Sequence, residues 1–393
     1  MKKIIITTLM ISNLSFAATT VLATKTKTKK KKKNLKTNIS LSYAISQMSN
    51  MDELIESDKV AQDIILNSLS STISLNYKYS KKLKLKSTTK GALTRSNDIQ
   101  KQGNTFTNRN NIDESIRSKN FDQGFSGRYK YDKKLALNLG LDFGISENYS
   151  IEQSFKDDKI QYHIIDDPYK KASMITGGRF KLNKSLSFNA LYRFQQIDHT
   201  ENHTFIANQG TNSRRIHSVG AQLSYRLKNK SKFLISAQQD ETFYKDKVAL
   251  LKDNTFQTDG TGKASTLKDR NIRLKYKFKK FSASIGYSNR DDITSGAESY
   301  DKYSIALDYG HSLGKNKISA KIGAASKSFK SQKDDNLSEK RNDESLNLRL
   351  ELKRPLLSRV NMAAYIQRNN VNSNNVFGKV ENNSLGLTLS SKF

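Results

Sequence analysis

Five histidines are the side chains in this 393-residue sequence best suited to bind a metal ion or transfer a proton. Two of them, His199 and His203, are four positions apart beside Asp198 and Glu201, a spacing that can bind a metal on a helix. The DHTENH segment around them is polar and gives no helical support, so the sequence does not predict a metal site. The others are His163, His217 and His311.

Patterns for other chemistry are equally weak. Neither His217 nor His311 has an evident serine and acid partner in sequence, although a catalytic triad is defined by geometry rather than order. The GTGK segment at 260–263 lacks the strand and helix that flank a phosphate-binding loop. The chain has no cysteine, which excludes disulfides and thiolate metal sites. We therefore predict that the protein is not an enzyme and uses no cofactor.

The formal net charge of +31 suggests nucleic acid, an acidic polymer or small anions as partners. The first 23 residues combine two lysines, a short apolar run and small residues, which is typical of a secretory signal peptide cleaved after Ala17 or Ala23. Export argues against nucleic acid. Residues 24–36 are lysine-rich, and we expect a flexible periplasmic tail that either docks on acidic polymers or lipid phosphates or is simply solvated.

Alternation of apolar and polar residues dominates the chain from residue 37 onward and predicts β-strands. The clearest run is LALNLGLDFGI, from Leu135 to Ile145. About sixteen such strands can be counted, and residues 51–66 are spaced more like a short helix. Short turns and longer polar loops alternate between the strands, so all short turns should lie at one end of the sheet, together with both termini.

Sixteen antiparallel strands are predicted to form a closed barrel, because an open sheet would leave exposed edges. Such a barrel is too wide for side chains to fill its interior. The apolar face must then contact lipid and the polar face must line water, as in an outer-membrane barrel. We therefore predict an all-β, single-domain transmembrane up-and-down barrel over residues 37–393.

The last strand, SLGLTLSSKF, alternates up to the terminal Phe393. In this respect the chain resembles Gram-negative outer-membrane proteins, and its topology resembles that of the sixteen-stranded general porins. The resemblance implies location in the outer membrane with its lipid and lipopolysaccharide, and recognition of Phe393 by the barrel-assembly machinery. It also implies a homotrimer in which the second external loop, about 87–123, braces a neighbouring subunit.

The face opposite the apolar one carries fifteen cations against three acids, Asp142, Asp308 and Glu351. A basic, water-filled lumen concentrates anions and excludes cations, unless these are ordinary solvated side chains without a selective role. The predicted pore-lining residues are Arg128, Lys130, Arg179, Arg193, Arg226, Arg273, Lys275, Lys321 and Arg349.

The third external loop, roughly 147–171, is acidic. In general porins the equivalent loop folds into the barrel and forms the constriction, so the resemblance implies an acidic loop facing a basic wall. An external solvated loop is the alternative. The constriction residues predicted on this basis are Asp157, Asp158, Asp166 and Asp167.

The sequence thus predicts a passive diffusion channel for small hydrophilic solutes that prefers anions. Two alternatives stay open. One is a surface-display or adhesin barrel whose lumen is plugged by loops or by the lysine-rich tail. The other is an outer-membrane hydrolase with serine or aspartate and histidine clustered at the barrel rim.

Overall fold

Seventeen β-strands make up the ordered elements of this computed structural model, which describes residues 35–49, 64–96, 117–156, 159–166, 168–199, 213–250, 260–333, 339–374 and 380–392. The strands are β1 (Leu35–Ser49), β2 (Ile64–Lys78), β3 (Leu83–Ser96), β4 (Arg117–Lys130), β5 (Leu135–Lys156), β6 (Lys159–Asp166), β7 (Tyr169–Lys181), β8 (Leu186–His199) and β9 (Arg214–Arg226). They continue with β10 (Lys232–Leu250), β11 (Gly260–Phe278), β12 (Phe281–Asp292), β13 (Tyr300–Leu313), β14 (Asn316–Lys333), β15 (Lys340–Pro355), β16 (Val360–Ser373) and β17 (Val380–Lys392).

Sixteen of these strands form one closed antiparallel barrel. Each pairs with its neighbours in the chain, and β1 closes the ring by pairing with both β2 and β17. Strand β6 is an addition to the ring. It pairs with the second part of β5, from Tyr149 to Lys156, whereas the first part of β5, from Leu135 to Ser146, pairs directly with β7. The predicted fold class is therefore confirmed. Among the described residues there is no helix long and apolar enough to cross a membrane.

Residues that lie opposite each other on neighbouring strands share one face of the sheet, and the apolar residues share one face around the ring. Their side chains form a continuous belt that stays exposed in the folded chain: Leu139 is 53% exposed and Ile285 is 56% exposed. Exposure of large apolar side chains all round a barrel requires an apolar surrounding, which is the hydrocarbon of a membrane. This belt is therefore the outer, lipid-facing surface.

The belt has a polar interruption on β3 and β4. There Gln123 donates to Ser87 Oγ at 2.9 Å and accepts from Thr89 Oγ1 at 2.5 Å. A polar group in hydrocarbon is expensive unless it is hydrogen-bonded. These three side chains satisfy one another, so the interruption is compatible with contact with lipid.

The strands extend further towards the long-loop end than the alternation predicts. At the opposite, short-turn end, β1 begins at Leu35, two residues before the predicted start of the barrel. Ile64 and Ile65, predicted to be helical, instead belong to β2, where they pair with β1; the rest of the predicted helix lies outside the described residues. β3 and β4 extend into the predicted second external loop, 87–123, since β3 ends at Ser96 and β4 begins at Arg117. The predicted loop at 147–171 is largely the β5–β6 hairpin.

The seven short turns all lie at one end of the barrel, and three of them share one construction. A polar side chain at the second position accepts backbone N–H groups two and three residues later: Ser80, Asp132 and Asn183 do so at 2.6–3.1 Å. This is the usual role of Asp, Asn and Ser in turns. At Asp132 the N–H groups of Leu135 and Lys134 lower the pKa of the carboxyl below its ordinary value.

Replacing Asn183 with Ala should therefore destabilise the barrel by about 1 kcal/mol, because the N–H groups of Ser185 and Leu186 lose their acceptor. The measurement is urea unfolding of the protein in lipid vesicles, followed by tyrosine fluorescence. Lys184→Ala in the same turn is the control and should change the stability by less than about 0.5 kcal/mol. Equal effects of the two substitutions would show that the Asn183 side chain does not hold the turn.

Candidate functional site

The polar face of the barrel is the candidate functional surface. Since the apolar face contacts lipid, the polar face lines the interior, and sixteen strands enclose a space too wide for side chains to fill. Polar-face side chains form hydrogen bonds across neighbouring strands. The hydroxyl oxygens of Ser42 and Ser70 are 2.6 Å apart, and those of Ser68 and Thr94 are 3.1 Å apart. The interior wall is therefore a hydrogen-bonded polar surface around a lumen.

All nine residues predicted to line the pore are on strands, on this polar face. Their cross-strand partners show it: Arg179 lies opposite Asn189, which lies opposite Gln222, and Lys321 lies opposite Arg349. Seven of the nine form no ion pair with any described residue. These seven are Arg128, Lys130, Arg179, Arg193, Arg226, Arg273 and Lys321.

The other two predicted cations are already engaged. Lys275 Nζ lies 3.2 Å from Asp308, which also accepts from Ser282 at 2.8 Å. Arg349 donates to Glu351 and to Gln367, both at 2.9 Å, and its guanidinium lies 3.9 Å from the centre of the Tyr365 ring. Pairing leaves these two cations less able to attract an anion than an unpaired side chain.

The half of the wall nearest the long loops carries acids that the sequence interpretation missed. Asp122 pairs with Lys171 at 2.5 Å, Arg290 with Asp269 at 2.8 Å, and Arg341 with Asp343 at 2.9 Å. The count of three acids was therefore wrong, because β4, β11 and β15 each begin earlier than the alternation showed. The pair Arg341–Asp343 was detectable, since residues two apart in a strand share a face.

The wall is thus electrostatically uneven from end to end. Near the long loops Lys171, Arg290 and Arg341 lie in ion pairs, whereas several cations near the short turns face other cations. Lys84 lies opposite Arg128, and Lys232 lies between Arg226 and Lys277. Unpaired charges of one sign on low-dielectric walls attract ions of the other sign.

The described histidines lie apart from one another. His217 is on the outer face, where its Nδ1 lies 2.8 Å from the Tyr192 hydroxyl, and His311 lies next to Lys280 and stacks on Tyr309. His199 ends β8, 5.3 Å from the Tyr169 ring between centroids. No group of three potential metal ligands occurs among the described residues. His203 lies outside them, and only the backbone of His163, in β6, is described.

Four of the other predicted site residues fall outside the described part of the chain, namely Asp157, Asp158, Asp167 and Phe393. Of Asp166, at the end of β6, only the backbone is described. The acidic constriction and the terminal assembly signal therefore stay predictions.

Comparison with known proteins supports the fold. No family model and no curated protein matches the sequence. Among solved structures, OccAB1 of Acinetobacter baumannii matches with a TM-score of 0.50 and 10% identity, over 91% of this chain and 96% of that one. OccK7 (OpdD) of Pseudomonas aeruginosa matches with a TM-score of 0.48 and 11% identity, over 92% and 99%.

These proteins are outer-membrane porins of Gram-negative bacteria, and porins are channels rather than enzymes. The first match establishes that the chain has the outer-membrane porin fold. The outer membrane is the location that this fold implies, in agreement with the apolar belt.

Proposed function

We propose that this protein is a passive diffusion channel of the outer membrane that admits small hydrophilic solutes and prefers anions. The observation that carries the proposal is the inner wall, on which seven of the nine predicted pore residues, among them Arg128, Arg179 and Arg193, form no ion pair with a described residue. A lumen lined by unpaired cations lowers the energy of an anion inside and raises that of a cation.

Transport in this proposal needs no covalent step. The width of the barrel and its loops excludes large solutes, and the charge of the wall raises the local anion concentration. The mid-barrel wall can both attract an anion and let it leave, because Arg193 lines the same lumen cavity as the acids Asp122 and Asp142. Mixed charge keeps anion binding weak enough for release, which conduction requires.

The predicted constriction fits the same mechanism. The chain between β5 and β7 forms a hairpin that continues β5 beyond the ring, and Asp157 and Asp158 are the two residues between its strands in the sequence. If these acids faced the basic wall, they would set a transverse field at the narrowest point. Likewise we propose that Phe393, which follows β17, is read by the barrel-assembly machinery, and that the assembled form is a homotrimer in lipopolysaccharide-containing membrane.

The test is the reversal potential of the purified protein in a planar bilayer under a KCl gradient. We expect a stable conductance and a potential of the sign that indicates chloride over potassium. The preference should fall as salt rises, because the Debye length shortens from about 10 Å at 0.1 M to about 3 Å at 1 M. A potassium-selective conductance would overturn the anion preference, and no conductance would favour a plugged barrel that displays its loops.

A further inference from the structure

A basic cavity of about 680 Å³ lies at the short-turn mouth of the lumen. Its wall contains Arg128, Lys130, Arg179 and Lys181 from the strands, and Lys82 and Lys134 from the turns. Eight of its lining residues are cationic, and only Asp132 is acidic. We call this the mouth cavity. Its size lies within the range of pockets that enclose a small-molecule ligand, about 300–1,000 Å³.

The strand register brings the two arginines together. Arg128 on β4 and Arg179 on β7 flank β5, which presents Asn138 opposite Arg128 and Ala136 opposite Arg179. Ala136 is only 6% exposed, so the longer side chains around it cover it. Arg128, Arg179 and Ala136 all line the mouth cavity.

Two buried polar atoms of the mouth cavity have no partner among the described residues. The Nε atoms of Arg128 and Arg179 are buried and have no hydrogen-bond partner among the described residues. The single carboxylate, Asp132, already accepts the N–H groups of Lys134 and Leu135, both at 2.6 Å. A buried donor without an acceptor is costly, and more so when it is charged.

The rest of the wall shows that this is not a general property of the barrel. Arg349 has a carboxylate and an amide partner, and Arg290 has both oxygens of Asp269 within 3.0 Å. Among the residues that the structure describes, the mouth cavity is the one place where several cations converge around two buried donors that have no partner. Converging cations with unsatisfied donors favour binding of an anion.

We infer that the mouth cavity is a binding site for a soluble anion that carries two or more phosphoryl groups. Arginine presents its donors as a planar fork that matches phosphate oxygens, and lysines add point charges around it. Eight cations against one carboxylate leave an excess that a singly charged ion cannot balance. The inference rests on the proposed channel only in that the lumen must admit the anion to its short-turn end.

The test uses inorganic pyrophosphate as the probe and full-length protein in nanodiscs of zwitterionic lipid. We expect isothermal titration calorimetry to show saturable binding that Arg128→Gln with Arg179→Gln weakens at least tenfold. The matched control, Arg193→Gln with Arg273→Gln, removes the same charge further along the lumen and should change the affinity less than threefold. Equal losses in the two double variants, or no binding to the unaltered protein, would overturn the site.

Further arms identify the ligand and guard against misfolding. Citrate should bind more weakly than pyrophosphate, and equal binding would overturn the phosphoryl assignment.

If Arg128→Gln with Arg179→Gln fails to give the heat-modifiable barrel band on a gel, Lys130→Gln with Lys181→Gln takes its place, with an expected loss of pyrophosphate affinity of at least threefold. Pyrophosphate binding that disappears only when anionic lipid is added would assign the site to lipid phosphates and overturn it. Pyrophosphate binding without conductance would refute the channel and leave the site intact.

Discussion

Replacing Arg193 and Arg273 with Glu is expected to abolish most of the preference for chloride over potassium. Both side chains lie on the polar face, on β8 and β11, and neither forms an ion pair with a described residue. The double substitution changes the formal charge of the lumen by about four units. It adds no bulk, so the pore should stay open while its electrostatic potential changes.

The magnitude follows from Coulomb's law. A charge about 8 Å from a permeating ion in water contributes about 0.5 kcal/mol, and four units give about 2 kcal/mol before screening. Salt at 0.1 M removes about half of this. Anion and cation shift in opposite directions, so the ratio of chloride to potassium permeability should fall on the order of tenfold or more.

The control for this experiment keeps the charge change and moves it out of the lumen. Lys170→Glu with Arg215→Glu alters two exposed residues on the outer face, near the long-loop rim of β7 and β9. Reversal potentials should differ little between this variant and the unaltered protein. If the outer-face variant shifts the potential as strongly as the lumen variant, the wall charges do not control selectivity.

The second large effect concerns stability. Leu350 on β15 lies in the apolar belt, 51% exposed, between Ala320 and Ile366 on the flanking strands. An arginine there would face hydrocarbon, and we expect Leu350→Arg to lower the free energy of unfolding by about 2–4 kcal/mol. Reversible denaturant unfolding in vesicles of short-chain lipid measures this difference.

Asn347→Arg provides the matched comparison on the same strand. Asn347 is exposed on the polar face, opposite Gly323 and Asn369, where an arginine meets water. Its effect should be below about 1 kcal/mol, because the hydrogen bond to Asn369 is the main interaction lost. A large loss for Asn347→Arg together with a small one for Leu350→Arg would reverse the assignment of the two faces.

The membrane-embedded part of this fold was predictable because lipid imposes a strict pattern. In the belt most alternate residues are apolar, so runs such as Leu135–Ile145 mark their strands clearly. Beyond the belt both faces meet water and the constraint ends. For that reason the sequence did not show the upper part of β4, the end of β10 at Leu250, or the β6 hairpin.

The sequence predicts which side chains lie on the inner wall, but not which of them form ion pairs with one another. Residue parity assigns Arg128 or Arg349 to the polar face, since side chains alternate along a strand. Whether a cation meets an acid depends on the register of neighbouring strands, which is fixed by turn geometry that the sequence expresses weakly. Thus Lys275 could be assigned to the wall, whereas its pairing with Asp308 required the structure.

The pairing of β1 with β17 also bears on how the barrel forms. Every other ring contact joins consecutive strands, or β5 and β7 on either side of the β6 addition, whereas Tyr43 lies opposite Leu389, roughly 350 positions away. Loop closure grows only logarithmically with length, so relative to a hairpin of about 20 residues the extra entropy is about 2.5 kcal/mol. Hairpins can therefore accumulate in order, and a single late ring-closing event should limit the rate of assembly.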